Sequence, residues 1–170
     1  KIVSFRGNVP TRLEKVAAGQ VDGTFLAMAG LKRLGLYEER FQVLPVAEFL
    51  PACGQGIVAI ECRAEDVELQ AALDPLQCVE TAICAAAERA LLATLDGSCR
   101  TPIGGYAVID GGKLHLKAQI AAEDGSALWT EIGDTLDVSL DGATALGNAL
   151  GAKLKAQTPD DLYLEDYECG

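Results

Sequence analysis

Aromatic side chains make up only 5% of the 170 residues, and the sequence holds one histidine, one methionine and one tryptophan. A single histidine leaves few ways to build a cysteine–histidine or serine–histidine pair for nucleophilic catalysis. That residue, His115, falls in the middle of a predicted strand, on its polar side. The sequence therefore argues against a hydrolase dyad.

Long apolar runs are also missing. No stretch approaches the roughly 18 to 20 consecutive apolar residues that a membrane-spanning helix needs. No basic segment followed by an apolar one opens the chain as a leader would. We therefore expect a globular protein with no membrane partner, located in the cytoplasm or, as a mature protein, in an organelle.

Cysteine is present, but not in pairs. The irregular spacing argues against a disulfide scaffold and against a zinc site built from CxxC ligands, so no metal is expected. We expect most of the cysteines to be reduced packing residues, since buried free cysteine behaves as a small hydrophobe. The six residues are Cys53, Cys62, Cys78, Cys84, Cys99 and Cys169.

Positive charge is scarce overall, because the formal net charge is −11. This balance disfavours nucleic acid as a partner. The average hides an asymmetry: residues 1–40 hold seven Lys/Arg against four acidic residues, a net charge of +3, which leaves −14 for the rest. We expect an anionic ligand to bind the N-terminal segment.

A hydrophobic content of 49% over 170 residues allows one or two compact domains. Residues 1–5 and 21–28 favour strands, whereas Thr11 is a candidate cap for one helix and residues 29–34 favour another. This alternation indicates an α/β layer. The chain opens as though in mid-fold, so we expect an upstream part.

Leu-Pro pairs bracket a connector between residues 44 and 51, and the apolar residues 57–60 beyond it predict a second strand after a domain crossing. Residues 65–73 and 78–95 predict helices. In the second helix, Glu88 and Arg89 fall largely off the apolar stripe.

The last third predicts a small α+β domain. Alternation of polar and apolar residues, with glycine-rich turns between the segments, indicates a three-stranded antiparallel meander, and residues 143–156 predict a helix covering one face. The predicted strands are residues 106–109, 113–121 and 127–132.

Two features could carry chemistry. In the loop GSCRTPIGG, residues 97–105, Arg100 could favour the thiolate of Cys99, although an ordinary loop cysteine would look the same. Arginines near predicted element ends could hold carboxylates or simply be solvated. The GQG at residues 54–56 is followed by a strand rather than a helix, so we reject a dinucleotide site.

Four segments resemble the hydroxymethylbilane synthase family, also called the porphobilinogen deaminases. The resemblance implies a transferase of haem biosynthesis that joins four porphobilinogen units with loss of ammonia on a cysteine-bound dipyrromethane cofactor and releases hydroxymethylbilane. The segments are residues 6–13 (RGNVPTRL), 29–36 (AGLKRLGL), 50–63 (LPACGQGIVAIECR) and 88–107 (ERALLATLDGSCRTPIGGYA).

The resemblance also implies site residues. Cys99 would carry the cofactor through a thioether, and Gln55 would line the cleft. Arginines would bind the acetate and propionate groups of both cofactor and substrate; they are Arg6, Arg12 and Arg33. Lys32 and Asn8 are secondary candidates, and the Glu88–Arg89 pair fits either helix surface or a domain contact.

The implied fold has α/β lobes like those of periplasmic binding proteins, incomplete in this chain, plus the C-terminal α+β domain. Residues 1–50 would belong to the second lobe, 51–75 to the crossing and a return strand and helix of the first lobe, and 76–170 to the third domain. The family's catalytic aspartate follows a lysine, and this sequence has no Lys-Asp pair. We therefore expect the chain alone to be inactive and to need the missing N-terminal half, in a complete enzyme that is monomeric.

Two alternatives remain open on the sequence. The first is a non-catalytic α/β module that binds small anions between two lobes. The second takes residues 76–170 alone as an interaction domain. Binding without covalent modification of Cys99 would favour either of them.

Overall fold

The computed structural model describes residues 1–96 and 101–159. The chain divides into two compact units, Lys1–Pro45 and Val46–Gly170. Within the described ranges, no helix combines the length and apolar character required to cross a membrane.

The first unit contains two helices, α1 (Val9–Ala17) and α2 (Met28–Arg33). The cap of α1 is Asn8 and not Thr11 as expected, since the Asn8 side chain accepts hydrogen bonds from the Thr11 backbone N–H at 3.0 Å and from its hydroxyl at 2.7 Å. Pro10 stands in the first turn, where a missing N–H costs no intrahelical bond, so the helix begins before Thr11.

The second unit contains the sheet, two long helices and one short helix. Strands β1, β2 and β3 pair in that order, each antiparallel to the next, which confirms the predicted meander. Gly111 and Gly112, with φ of +55° and +76°, form the two-residue turn between β1 and β2, a conformation typical of type I′ hairpins. The elements are α3 (Val67–Leu73), α4 (Val79–Thr94), β1 (Ile103–Asp110), β2 (Lys113–Ala121), β3 (Leu128–Thr135) and α5 (Leu140–Gln157).

One face of the sheet packs against α4 and α5. Every second residue of β2 is fully buried, as the two-residue period of a strand requires when one face meets a core. The two helices supply the other half of this core. The fully buried residues are Leu114, Leu116, Ala118 and Ile120 from β2, Ala87 and Leu91 from α4, Leu95 just after it, and Ala143 and Leu154 from α5.

The strands predicted at residues 1–5, 21–28 and 57–60 do not form in the described part of the chain. Val58 and Ile60 are 87% and 59% exposed. Because a strand exists only when its N–H and C=O groups pair with a neighbour, apolar and β-branched residues alone do not produce one.

The cysteines of the described segments are free: Cys53, Cys62, Cys78 and Cys84. Three are half-buried, whereas Cys78 is exposed and departs from the expectation made for most of the cysteines. Cys78 directly precedes α4, where the chain enters the helix from the surface.

Candidate functional site

Cationic side chains fold back on the start of α1. The Arg12 Nε donates a hydrogen bond to the Gly7 carbonyl at 3.0 Å, and the Lys15 Nζ donates to the Arg6 carbonyl at 2.9 Å. These bonds hold the backbone of residues 6 and 7 against the helix. The Arg6 side chain is exposed, and the Arg12 bond uses only Nε, so the terminal guanidinium nitrogens retain the fork that suits a carboxylate.

The other cations of the first unit lie at the end of α2. Arg33, the last residue of the helix, is exposed. The Lys32 ammonium lies 5.5 Å from the centre of the Tyr37 ring, within range of a cation–π contact. Asn8, the remaining candidate, has a structural role as the cap of α1.

Gln55 lies at the tip of a double turn in the second unit. Its N–H donates to the Ala52 carbonyl at 3.0 Å, and the Ile57 N–H donates to the Gly54 carbonyl at the same distance. Gly54 and Gly56 have φ of +74° and +87°, the left-handed region that L side chains avoid. The two glycines therefore leave the exposed Gln55 side chain on a tight, defined turn.

The chain just before this turn is attached to the edge of β1. The Gly105 N–H donates to the Pro51 carbonyl at 3.0 Å, and Ala52 pairs with Gly104 in an antiparallel bridge. A Cβ at Gly105 would stand 2.5 Å from the Cys53 Sγ, so this approach requires glycine. The turn bearing Gln55 is thus joined to the strand that follows the Cys99 loop.

Glu88 of α4 makes the second attachment. Its carboxylate is buried, with 5% of the residue exposed, and accepts hydrogen bonds from the Gly54 N–H at 2.6 Å and the Ala107 N–H at 2.8 Å. Burial raises the pKa of this carboxyl group, while the two N–H donors act in the opposite direction.

The prediction that Glu88 lies off the apolar stripe is wrong. It follows Cys84 by one turn and precedes the buried Leu91 by three residues, so it lies at core spacing. This spacing is the feature of the sequence that indicates a buried position for Glu88. An acidic residue at such a position stays buried only where backbone donors meet it, and a helical pattern alone does not reveal them.

Burial also governs the neighbouring thiols. The pKa of Cys53 rises to about 11, first because the sulfur is desolvated and second because Glu88 is close. The pKa of Cys84 is raised for the same two reasons. At the surface, hydrogen bonds from Thr81 lower the pKa of Cys78.

Cys99 and Arg100 lie outside the described residues. The elements on either side of their loop are well packed, because Leu95, just after α4, and Ile103, the first residue of β1, are both buried. The described residues on either side of positions 97–100 are therefore fixed in the hydrophobic core of the second unit.

These observations define a class of protein before any comparison. Each helix of the first unit carries a guanidinium group of the kind that pairs with a carboxylate. The second unit supplies a glutamine on a double-glycine turn, and its sequence carries Cys99 between α4 and β1. The class that the described residues define is a protein of two units: the first is helical and carries exposed cations, and the second is an α+β domain in which helices cover one face of an antiparallel sheet.

Comparison with known proteins gives the family. Residues 1–71 match the family model described as "Porphobilinogen deaminase, dipyromethane cofactor binding domain". Residues 82–156 match the one described as "Porphobilinogen deaminase, C-terminal domain". The chain belongs to the porphobilinogen deaminase family.

Curated relatives named porphobilinogen deaminase agree. The Nitrobacter hamburgensis protein is 44% identical over 152 residues, which cover 89% of this chain and 46% of the relative. The Sorangium cellulosum protein is 48% identical over 158 residues, covering 88% of this chain and 50% of the relative. The chain spans about half the length of the curated relatives it matches.

Proposed function

We propose that the chain forms the cofactor-holding and C-terminal part of a hydroxymethylbilane synthase, a transferase that polymerises four porphobilinogen units with loss of ammonia and releases hydroxymethylbilane. The observation that carries the proposal is the consecutive match of both family domains, over residues 1–71 and 82–156. The cationic first unit supports it, because each pyrrole carries two carboxylates.

In this proposal Cys99 is an anchor and not a turnover nucleophile. A thioether to carbon resists the hydrolysis that would cleave an ester, so the attached chain stays bound through the successive additions. When bound, the dipyrromethane supplies the pyrrole terminus onto which the first substrate unit is added. The donor set of the first unit fits such a group.

Arg6, Arg12 and Arg33 bind carboxylates of the cofactor and of the substrate in this proposal. The Gly7 carbonyl orients the Arg12 guanidinium through Nε, which supports bidentate binding by its terminal nitrogens. Gln55 supplies an amide that donates to an oxygen and accepts from a pyrrole N–H. Its exposed position supports this role.

We also propose that further protein completes the enzyme, as a preceding segment or a separate chain. In this arrangement residues 1–50 and 51–75 contribute to two lobes like those of periplasmic binding proteins, and residues 76–170 form the third domain. The exposed Val58 and Ile60 support a covering partner, since unpaired apolar segments are rarely left open to water. The catalytic aspartate would come from that partner.

The complete enzyme is proposed to be monomeric and cytoplasmic. Free thiols at the four described cysteines support a reducing compartment.

A chimera tests the proposal. The part of the Nitrobacter hamburgensis relative that precedes the matched region is fused to this chain, and porphobilinogen consumption is measured. We expect activity from the chimera, none from this chain alone, and none from the chimera with Cys99→Ser. A folded chimera that binds porphobilinogen without consuming it would favour the non-catalytic anion-binding module instead.

A further inference from the structure

We propose that Glu88 is a positioning residue for Gln55: its carboxylate fixes the turn bearing Gln55 to the strand that follows the Cys99 loop. The inference rests on the proposed function and adds a residue with a defined task to it. The geometry that carries it is the meeting of three segments at one buried carboxylate.

Each oxygen of that carboxylate serves a different segment. Oε2 accepts from the Gly54 N–H at 2.6 Å, in the turn, and Oε1 accepts from the Ala107 N–H at 2.8 Å, in β1. The residue itself belongs to α4, which ends just before the loop. Glu88 therefore joins the helix before Cys99, the strand after it and the turn that carries Gln55.

The bond to Glu88 is the hydrogen bond that holds the Gly54 N–H, and the other attachments of this segment lie earlier in the chain. The bridge between Ala52 and Gly104 and the bond from Gly105 to Pro51 hold the chain before the turn. The N–H of Gly54 points to Glu88, directly before Gln55. Without this bond, the turn would keep its internal hydrogen bonds and its attachment at Pro51 and Ala52, but its Gly54–Gln55 part would no longer be fixed to α4.

Chemistry explains why glutamate serves here. A carboxylate presents two acceptor oxygens and can receive two N–H donors at once, whereas a glutamine amide offers one oxygen and turns N–H groups toward the second donor. Aspartate is one methylene shorter and cannot span both partners. Burial strengthens each bond and makes the loss of either one costly.

The first test needs no activity. Hydrogen exchange is followed by NMR on the 170-residue chain at the amides of Gly54 and Ala107. We expect the Gly54 amide, although it lies in a turn, to exchange as slowly as the amides of β1 in the wild type. In Glu88→Gln we expect at least one of the two amides to exchange at least 10-fold faster.

A matched control is available on the same helix. Glu80 is exposed in the first turn of α4, so Glu80→Gln removes the same charge without touching the turn. We expect no change at either amide. Rapid exchange of the Gly54 amide in the wild-type chain would overturn the proposal without any variant being made.

The second test asks whether Glu88 acts through Gln55. In the complete enzyme, Glu88→Gln and Gln55→Ala are each expected to raise KM on the order of 10-fold with kcat nearly unchanged, because both weaken ground-state binding. If one residue positions the other, the double variant is no worse than the more severe single variant.

The outcomes distinguish a failure of the positioning role of Glu88 from a failure of the proposed function. Multiplied KM effects in the double variant would overturn the positioning role while leaving the proposed function intact. A wild-type enzyme that does not consume porphobilinogen would defeat the proposed function, yet the amide exchange would still report whether Glu88 holds the turn.

Discussion

At the scale of single residues, the Cys53 thiol occupies the space that a side chain at Gly105 of β1 would need. A Cβ at position 105 would stand 2.5 Å from the Cys53 Sγ and 3.0 Å from a methyl group of Leu91. We predict that Gly105→Ala lowers the free energy of unfolding by about 1 to 3 kcal/mol through overpacking. Denaturant titration followed by the fluorescence of Trp129, the single tryptophan, reports this unit.

The matched test removes the sulfur. In a Cys53→Ala background the clash with Sγ is gone, so the loss caused by Gly105→Ala should shrink by about 1 kcal/mol. If the effects of the two substitutions were additive, the clash with the Cys53 thiol would not be the cause of the destabilisation by Gly105→Ala.

Glu88 gives a pH dependence with a defined sign. Burial raises its pKa in the folded state above the ordinary value of 4.5, so the folded protein binds this proton more tightly than the unfolded chain does. Its contribution to stability is therefore full below pH 4.5 and is lost as the pH rises through the folded-state pKa. We predict that the stability of the wild type, relative to Glu88→Gln, declines over that window.

Chemical denaturation at a series of pH values measures this difference. Glu80→Gln, in which the exposed carboxylate of the same helix is replaced, serves as the control and should show no comparable trend. A stability difference that rises with pH would mean that the two N–H donors outweigh burial, contrary to the account.

Individual positions were the hardest to predict from sequence. The sequence predicts Thr11 as the cap of α1, since threonine is a capping residue. Asn8 is the cap because Pro10 belongs to the first turn, so the helix begins before Thr11. Glu88 was taken for a residue off the apolar stripe because its partners, Gly54 and Ala107, are distant in sequence and donate through their backbones. The amino-acid sequence does not show which backbone N–H groups will lie near a given side chain.

At the scale of elements, the crossing of α4 and α5 depends on small residues. A Cβ at Gly147 would collide with the Ala87 carbonyl and stand 2.8 Å from the Ala90 Cβ. Helix propensity alone favours alanine by about 1 kcal/mol. We predict the opposite sign: Gly147→Ala destabilises the second unit by about 1 to 3 kcal/mol, because the obstacle is backbone that cannot move aside.

The measurement is again denaturant unfolding followed at Trp129. Ala149→Gly, on the exposed side of α5, measures the effect of helix propensity alone and should lower the free energy of unfolding by about 1 kcal/mol. A stabilised Gly147→Ala variant would show that the two helices are free to separate.

Elements in the C-terminal part could be predicted because their signals are local. The two-residue alternation of β2 and the Gly111-Gly112 turn specify a hairpin without reference to distant residues. The strands predicted at residues 21–28 and 57–60 failed because the same apolar, β-branched composition needs a partner strand, and none pairs with them in the described ranges. Composition indicates that a segment can form a strand, but the strand forms only where its backbone pairs with a neighbouring strand.

At the scale of the whole molecule, the family was accessible from sequence because its motifs lie in order along the chain, and both family models match. The roles of Arg6, Arg12, Arg33, Gln55 and Cys99 remain predictions. They depend on where the side chains lie around a ligand, and neither helical periodicity nor strand alternation encodes that placement.

The most direct test of the central claim is the mass of the segment that holds Cys99. The full-length protein carrying this chain is denatured, its intact mass is determined, and the peptides are mapped, with Cys99→Ser as the control. The account predicts a covalent addition equal to two linked pyrrole units on the Cys99 peptide and none in the variant. An active protein with unmodified Cys99, or with the addition on another cysteine, would contradict it.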